Sequence, residues 1–261
     1  MNIIILSLLA GVVGMGVGGL ITALFGSRSD KMTSIFLSFA GGVMVSIVFL
    51  ELIPEAMELS GVLVMITGLV LGAVLVYGLH YFMDRLSSLR GNSRLHENFA
   101  EFFHSDDIIS KKKSMLRSGM IMLFAIALHN VPEGLAMGAA GHYDASLGLT
   151  LAILIGLHNI PEGMAVSAPL IAGGLTKTKS VIITLVVGST TVVGAIAGVL
   201  IGGISDFAVA LAFSIAGGSM LYVVIGEIIP QSIVTRKDRV PTVFALIGII
   251  VGVLLIELLG H

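Results

Sequence analysis

Apolar residues in this chain neither alternate nor follow one amphipathic stripe. They gather in eight long windows, at roughly 3–25, 33–57, 62–83, 119–140, 147–172, 180–202, 207–230 and 241–259. A helix needs about 20 apolar residues to cross the hydrocarbon core of a bilayer, and each window is that long. The pattern predicts an all-α integral membrane protein with eight transmembrane helices, forming one domain over 1–261. The first window begins two residues from the start with no Lys or Arg ahead of it. It lacks the basic front of a cleavable signal peptide and is expected to be a true span. What is left is short turns and one long polar loop, about 84–118, with three consecutive lysines at Lys111, Lys112 and Lys113.

Composition sharpens this. The chain is 56% hydrophobic and 11% charged, whereas an ordinary soluble domain is about 25% charged. A soluble enzyme is excluded, and a net charge of −2 gives no sign of a nucleic-acid partner. With no cysteine there is no disulfide, thiolate nucleophile or thiolate metal site. Any metal must be held by His, carboxylate, amide or Met.

The fourteen basic residues set an orientation. Arg28 and Lys31 follow the first window; Arg85, Arg90, Arg94, Lys111, Lys112, Lys113 and Arg117 follow the third; Lys177 and Lys179 follow the fifth; Arg236, Lys237 and Arg239 follow the seventh. All fall in alternate loops, and cytoplasmic loops collect Lys and Arg. Both termini are therefore expected outside the cytoplasm, with the 84–118 loop inside, in the cell (plasma or inner) membrane.

Two stretches recur. Ala40-Gly41-Gly42-Val43-Met44 through Glu51-Leu52-Ile53-Pro54 in the second window returns in the seventh as Ala216-Gly217-Gly218-Ser219-Met220 through Glu227-Ile228-Ile229-Pro230. His129-Asn130-Val131-Pro132-Glu133-Gly134 in the fourth returns in the fifth as His158-Asn159-Ile160-Pro161-Glu162-Gly163. In each pair the two helices run in opposite directions through the membrane. The expected architecture is a 3+2+3 inverted repeat, a plan that places a transporter's binding site near the midplane. Close helix packing would account for the small residues alone. It does not account for Glu and Pro, which hydrocarbon disfavours.

Residues four apart share a helix face, so His129 projects with Glu133 and His158 with Glu162. Asn130 and Asn159 stand beside them. Two such helices face to face offer a nitrogen-and-oxygen site suited to zinc and its first-row neighbours. Pro132 and Pro161 leave the carbonyls of Leu128 and Leu157 without donors, and a kink is expected. Glu51, Glu133, Glu162 and Glu227 lie inside windows that hold no Lys or Arg, so a mobile cation is the simplest counter-charge. Met44 reads equally as a soft ligand or as core filler. Glu55 and Glu58 close the outer end of the second window, where water reaches carboxylates. His96, His104, Glu97, Glu101, Asp106 and Asp107 are either a metal trap or a solvated loop. His142 and Asp144 are either a cation attractor or an ordinary turn.

The duplicated His-Asn-x-Pro-Glu-Gly and the Glu-Ile-Ile-Pro ending of the seventh window resemble the ZIP (ZRT/IRT-like) divalent-metal transporters, and most closely their bacterial GufA-like members. The resemblance spans essentially the whole chain. It implies uptake of zinc, or of iron, manganese, cobalt or cadmium, toward the cytoplasm, with the metal as transported substrate and no cofactor, and often a homodimer. Carried over by matching position, His129, Glu133, His158 and Glu162 form a first metal site with Met44 as an added ligand. Asn130, Asn159 and the two glutamates border a second. Glu51 and Glu58 on the outer side, Glu227 on the inner side and Thr191 line the path. Two departures stand out. Thr191-Val192 occupies the place of a Glu-Pro common in two-metal members, and Gly226 stands where His often precedes the seventh-window Glu. The alternative is an intramembrane zinc metalloenzyme, although such enzymes show His-Glu-x-x-His where each helix here has one His. A metal sensor would need no inverted repeat.

Overall fold

The computed structural model describes residues 2–26, 30–89, 108–143, 145–201 and 205–259, all organised as helices joined by short turns. Seven runs are long and apolar enough to cross a membrane. The second, Lys31–Leu79, has 49 residues, and at 1.5 Å per residue a straight helix of that length would reach about 74 Å, far beyond the roughly 30 Å hydrocarbon core. It is broken at Gly61, whose φ of 76° and ψ of 171° are non-helical. Glycine is required there because a side chain at such a φ is strained. Gly217 shows that the chain folds back at this point, since it is flanked by Val48 and Leu52 from before the break and by Leu69 from after it. Eight helical segments result among the described residues: α1 Ile3–Phe25, α2 (30–60), α3 (62–89), α4 Ile108–Tyr143, α5 Ala145–Ala172, α6 Lys177–Ile201, α7 Asp206–Arg236 and α8 Val240–Leu259.

These segments follow the apolar windows to within three residues, except around the polar segment and at the end of α7, which runs six residues past its window to Arg236. Around the polar segment α3 continues to Leu89 and α4 begins at Ile108, so both ends of the expected 84–118 loop are helical. Hydropathy marks where lipid begins, but backbone hydrogen bonds continue the helix into water. His96, His104, Glu97, Glu101, Asp106 and Asp107 lie outside the described residues, as do the side chains of His142 and Asp144.

The strongest helix pairings are α3 with α7, α2 with α8, α4 with α6, α1 with α5 and α4 with α5, and α2 meets α5 as α4 meets α7. Glycines set these approaches by allowing one backbone to touch another. Gly42 on α2 faces the Ala245 carbonyl on α8, and Gly218 on α7 faces the Leu69 carbonyl on α3. Gly72 on α3 faces the Ile215 carbonyl on α7, and Gly248 on α8 faces the Phe39 carbonyl on α2. Gly134 on α4 meets the Thr191 carbonyl on α6, and Gly163 on α5 meets the Met15 carbonyl on α1. A Cβ at any of these positions would overlap the facing oxygen. Each couple maps onto its companion by the same shifts along the chain that carry Met44 to Met220 and Glu133 to Glu162.

The main apolar core is drawn from α2, α4, α5 and α7, with Leu37, Met44, Met122, Ile126, Val166 and Met220 all fully buried. α3 and α8 turn Leu63, Val70, Val74, Val243, Leu246 and Leu254 outward, an apolar exterior suited to lipid. Three π-helical turns interrupt the helices, at Leu9–Val13, Val48–Leu52 and Val224–Ile228. The second and third occupy matching positions in the repeated stretches and lead into Pro54 and Pro230, which have no N–H to donate to the usual i−4 carbonyl. Turns of this type gather at functional sites.

Candidate metal centre

His129 and Glu133 come from the middle of α4, and His158 and Glu162 from the middle of α5. Each pair shares a helix face as the spacing predicts, but the direct bonds run between helices. His129 Nε2 lies 3.0 Å from Glu162 Oε1, and His158 Nε2 lies 3.3 Å from Glu133 Oε2. All four side chains are buried, none more than 3% exposed. Both helices run on through Pro132 and Pro161. The irregular turns occur instead in α1, α2 and α7.

Each bond uses one atom of each partner and leaves the other idle. Among the described residues, nine buried side-chain N and O atoms have no hydrogen-bond partner: His129 Nδ1, His158 Nδ1, Glu133 Oε1, Glu162 Oε2, both amide atoms of Asn130, Asn159 Oδ1, Thr191 Oγ1 and Glu51 Oε2. Leaving such a group unsatisfied costs about 1–3 kcal/mol, so nine in one region is a large burden for a fold to carry without a ligand. All eight residues are ones the sequence marks as candidates. Ligand atoms of His129, Glu133 and Glu162 lie within 4.8 Å of one another, close enough for a single ion between them to be drawn into bonds with all three, zinc taking nitrogen and oxygen ligands at about 2.0–2.2 Å. His158 stands outside that trio and joins it through Glu133.

The two asparagines differ. Asn159 Nδ2 donates to the Ala10 carbonyl at 3.1 Å, an acceptor in the register shifted by the π-turn of α1. Its Oδ1 alone is left free. Asn130, with no matching irregular turn on α6, keeps both amide atoms unpartnered. This contribution of α1 was not legible in the sequence, which marks the helix only by its glycines. Thr191 is fully buried on α6, its hydroxyl against Gly11 of the α1 π-turn and its carbonyl against Gly134, next to Glu133. Met44 is fully buried in the apolar core.

Glu51 and Glu227 occupy the same place in their two π-turns, yet their surroundings differ. Glu51 Oε2 is buried without a partner, and its principal charged neighbours are His158 and Glu133. Glu227 Oε2 accepts a hydrogen bond of 2.9 Å from Ser118 Oγ. Ser118 lies eleven residues before His129 on α4, about 16 Å along the helix. Glu58 is exposed near the Gly61 break, beside Glu55. At Gly226 an added side chain would meet only the Tyr222 ring, so the position has room for the larger residue that similar proteins carry.

Membrane-length helices that bring together two buried His–Glu pairs, with further carboxylates at Glu51 on α2 and Glu227 on α7, give a polytopic protein with the donor set of a metal-cation site. Residues 80–260 match the family model described as ZIP Zinc transporter, and the chain belongs to that family. It is 33% identical over 97% of its length, and 94% of the relative's, to the zinc transporter ZupT of Chlorobium chlorochromatii. It is 31% identical to the ZupT of Chlorobaculum parvum, covering 87% and 86% of the two chains, and 30% identical to that of Salmonella paratyphi A, covering 98% and 96%. Family membership makes the chain a transporter of metal cations rather than an enzyme, and the metalloenzyme alternative falls.

Proposed function

We propose that this protein carries a divalent metal ion, zinc before iron, manganese, cobalt or cadmium, across the cell membrane toward the cytoplasm, through a midplane site held by α4 and α5. In this reading His129, Glu133 and Glu162 take the ion first, and His158, Asn130, Asn159 and Met44 complete its surroundings as it moves. The observation that carries the proposal is the cluster of buried, unpartnered donors around two cross-helix His–Glu pairs. Two carboxylates match one divalent charge, and the hydrogen bonds that hold the pairs together are those an arriving cation replaces.

The direction rests on the basic residues. Their confinement to alternate loops supports a cytoplasmic side that includes the α7–α8 turn and Glu227, and an opposite side that includes Gly61, Glu58 and Glu51. Epitope tags at residues 1 and 261 are expected to be reached from outside intact cells, and one within 92–108 is not. Labelling of that loop from outside would reverse the direction. The 3+2+3 inverted repeat belongs to the same reading, and the support for it is the set of glycine–carbonyl contacts and π-turns that recur at the repeat spacing. Such a repeat provides alternating access by moving one group of helices against the other.

The test is zinc uptake into vesicles loaded with purified protein. Glu162→Ala removes a primary ligand and is expected to lower uptake at least a hundredfold while the protein still inserts and folds. Normal flux through this variant and through Glu133→Ala would overturn the site.

A further inference from the structure

The last turns of α7 are buried on a polar face. Gln231, Ser232 and Thr235 are all shielded from solvent, and residues four apart, such as 231 and 235, lie on one side of a helix. Gln231 Nε2 donates to Met115 Sδ on α4 at 3.3 Å and to Thr235 Oγ1 at 3.2 Å. On the opposite flank, Ser34 Oγ of α2 donates to the Ser232 carbonyl at 2.7 Å. About one turn nearer the metal centre, Ser118 and Glu227 meet across the same α4–α7 seam. A permanent seam is served as well by apolar side chains, which need no partners when buried. Amides and hydroxyls are groups that exchange protein partners for water at little net cost when a seam parts. The other end of the repeat lacks this closure. The shifts that carry Glu51 to Glu227 and Glu133 to Glu162 put Glu55 in the place of Gln231 and Asp144 in the place of Met115. An amide donates to a thioether, whereas two carboxylates repel, and Glu55 is exposed where Gln231 is buried.

We propose that Gln231 and Met115 form a latch that shuts the cytoplasmic end of α4 against α7 while the outer end stays accessible, so that a bound ion leaves only after the latch parts. The proposal rests on the transport reading and the repeat given above. Met115 lies fourteen residues before His129, about 21 Å along α4, so it acts on closure and not as a ligand of the midplane ion. The latch is weak, because a thioether is a poor acceptor, and Gln231 keeps Thr235 as a partner when Met115 moves away. Such a contact opens and recloses in every cycle, and its strength sets the share of molecules that face outward. An ion arriving from outside binds only that share, so a looser latch lowers the apparent affinity. The neighbouring Ser118–Glu227 bond has a different task, since it holds a carboxylate that a departing ion passes.

Three measurements on the full chain in vesicles test this. Met115→Leu nearly preserves volume and removes the acceptor, and is expected to raise the KM for external zinc about fourfold while kcat changes less than twofold. Because the chain has no cysteine, Ser34→Cys puts a single thiol in the buried seam. In inside-out vesicles a membrane-impermeant methanethiosulfonate reagent is expected to modify that thiol at least fivefold faster once Met115→Leu is added. Finally, Met115→Cys and Gln231→Cys together, joined by a short bis-methanethiosulfonate linker, are expected to abolish uptake until a reductant frees them, with zinc still bound by the purified linked protein. An unchanged KM and equal thiol reactivity with and without Met115→Leu overturn the latch. Full uptake by the linked protein, or two thiols that cannot be linked, overturns it as well. Thiol modification is read without any flux, so its outcome stands apart from that of Glu162→Ala, whose normal flux would overturn the metal site instead.

Discussion

The two ends of the repeat, around Glu51 on α2 and around Glu227 on α7, share a backbone plan and differ in what their side chains meet. Both glutamates sit at the fourth residue of a five-residue π-turn that leads into proline. Both helices are seated by glycines that touch a carbonyl of a neighbouring helix. Yet Glu51 turns toward the buried His–Glu cluster without a hydrogen-bond partner for Oε2, while Glu227 is tied to Ser118. The same local backbone is thus fitted with different side-chain contacts: the Glu51 carboxyl leaves Oε2 without a partner, and the Glu227 carboxyl is held by Ser118. The asparagines divide in the same way, Asn159 bound to α1 and Asn130 unbound.

Altering the charge at the centre is the strongest way to upset this division. Thr191→Glu adds a third carboxylate where the fully buried hydroxyl now stands, and it is expected to raise bound zinc in purified protein from one tight ion per chain toward two, with slower release. Metal counting by titration or anomalous scattering reads the result, and an unchanged stoichiometry would show that α6 takes no part. Loosening Glu227 has a smaller effect. Ser118→Ala removes one hydrogen bond to it and is expected to reduce kcat for zinc three- to tenfold with little change in KM, because a less firmly held carboxylate competes to retain the departing ion. A rise in KM without a fall in kcat would place Glu227 on the arrival side and reverse the comparison. The smallest effect separates the asparagines. Asn159→Ala breaks a buried hydrogen bond, worth about 1 kcal/mol, and should lower thermal stability in detergent. Asn130→Ala removes a group with no such bond and should leave stability unchanged or slightly raised. Equal destabilisation would show that the π-turn of α1 does not distinguish the two halves.

Much of this was legible in the chain itself because a bilayer is a strict solvent. An apolar window of sufficient length can satisfy its backbone there only as a helix, so all eight segments could be found, and most of their ends placed within three residues, although α7 continues six residues past its window to Arg236. Around 84–118 the boundary is a matter of helix continuation in water, and the windows fell short at both Leu89 and Ile108. The candidate donors were likewise visible as costly residues in costly places, a His or Glu inside an apolar window with no basic partner.

What a one-dimensional pattern cannot contain is which donor meets which. The spacing of four coupled His129 with Glu133 and His158 with Glu162 on their own helices, a statement about faces that leaves the distance across an interface open. Tertiary structure exchanged the partners, joining His129 to Glu162 and His158 to Glu133, because α4 and α5 pack with those faces together. It also supplied the π-turns, which no residue type signals: those of α2 and α7 precede a proline, whereas that of α1 does not, and Pro132 and Pro161 are accommodated without one. Identical Glu-x-Ile-Pro ends thereby acquired different neighbours. Sequence determined that this membrane protein carries His, Asn and Glu inside apolar helices in two copies, since hydropathy and repetition are properties of residues in order. Only the fold decided that the copies are unequal, since that depends on a hydroxyl from Ser118 and a carbonyl from Ala10, groups that become neighbours when helices distant in the chain come into contact.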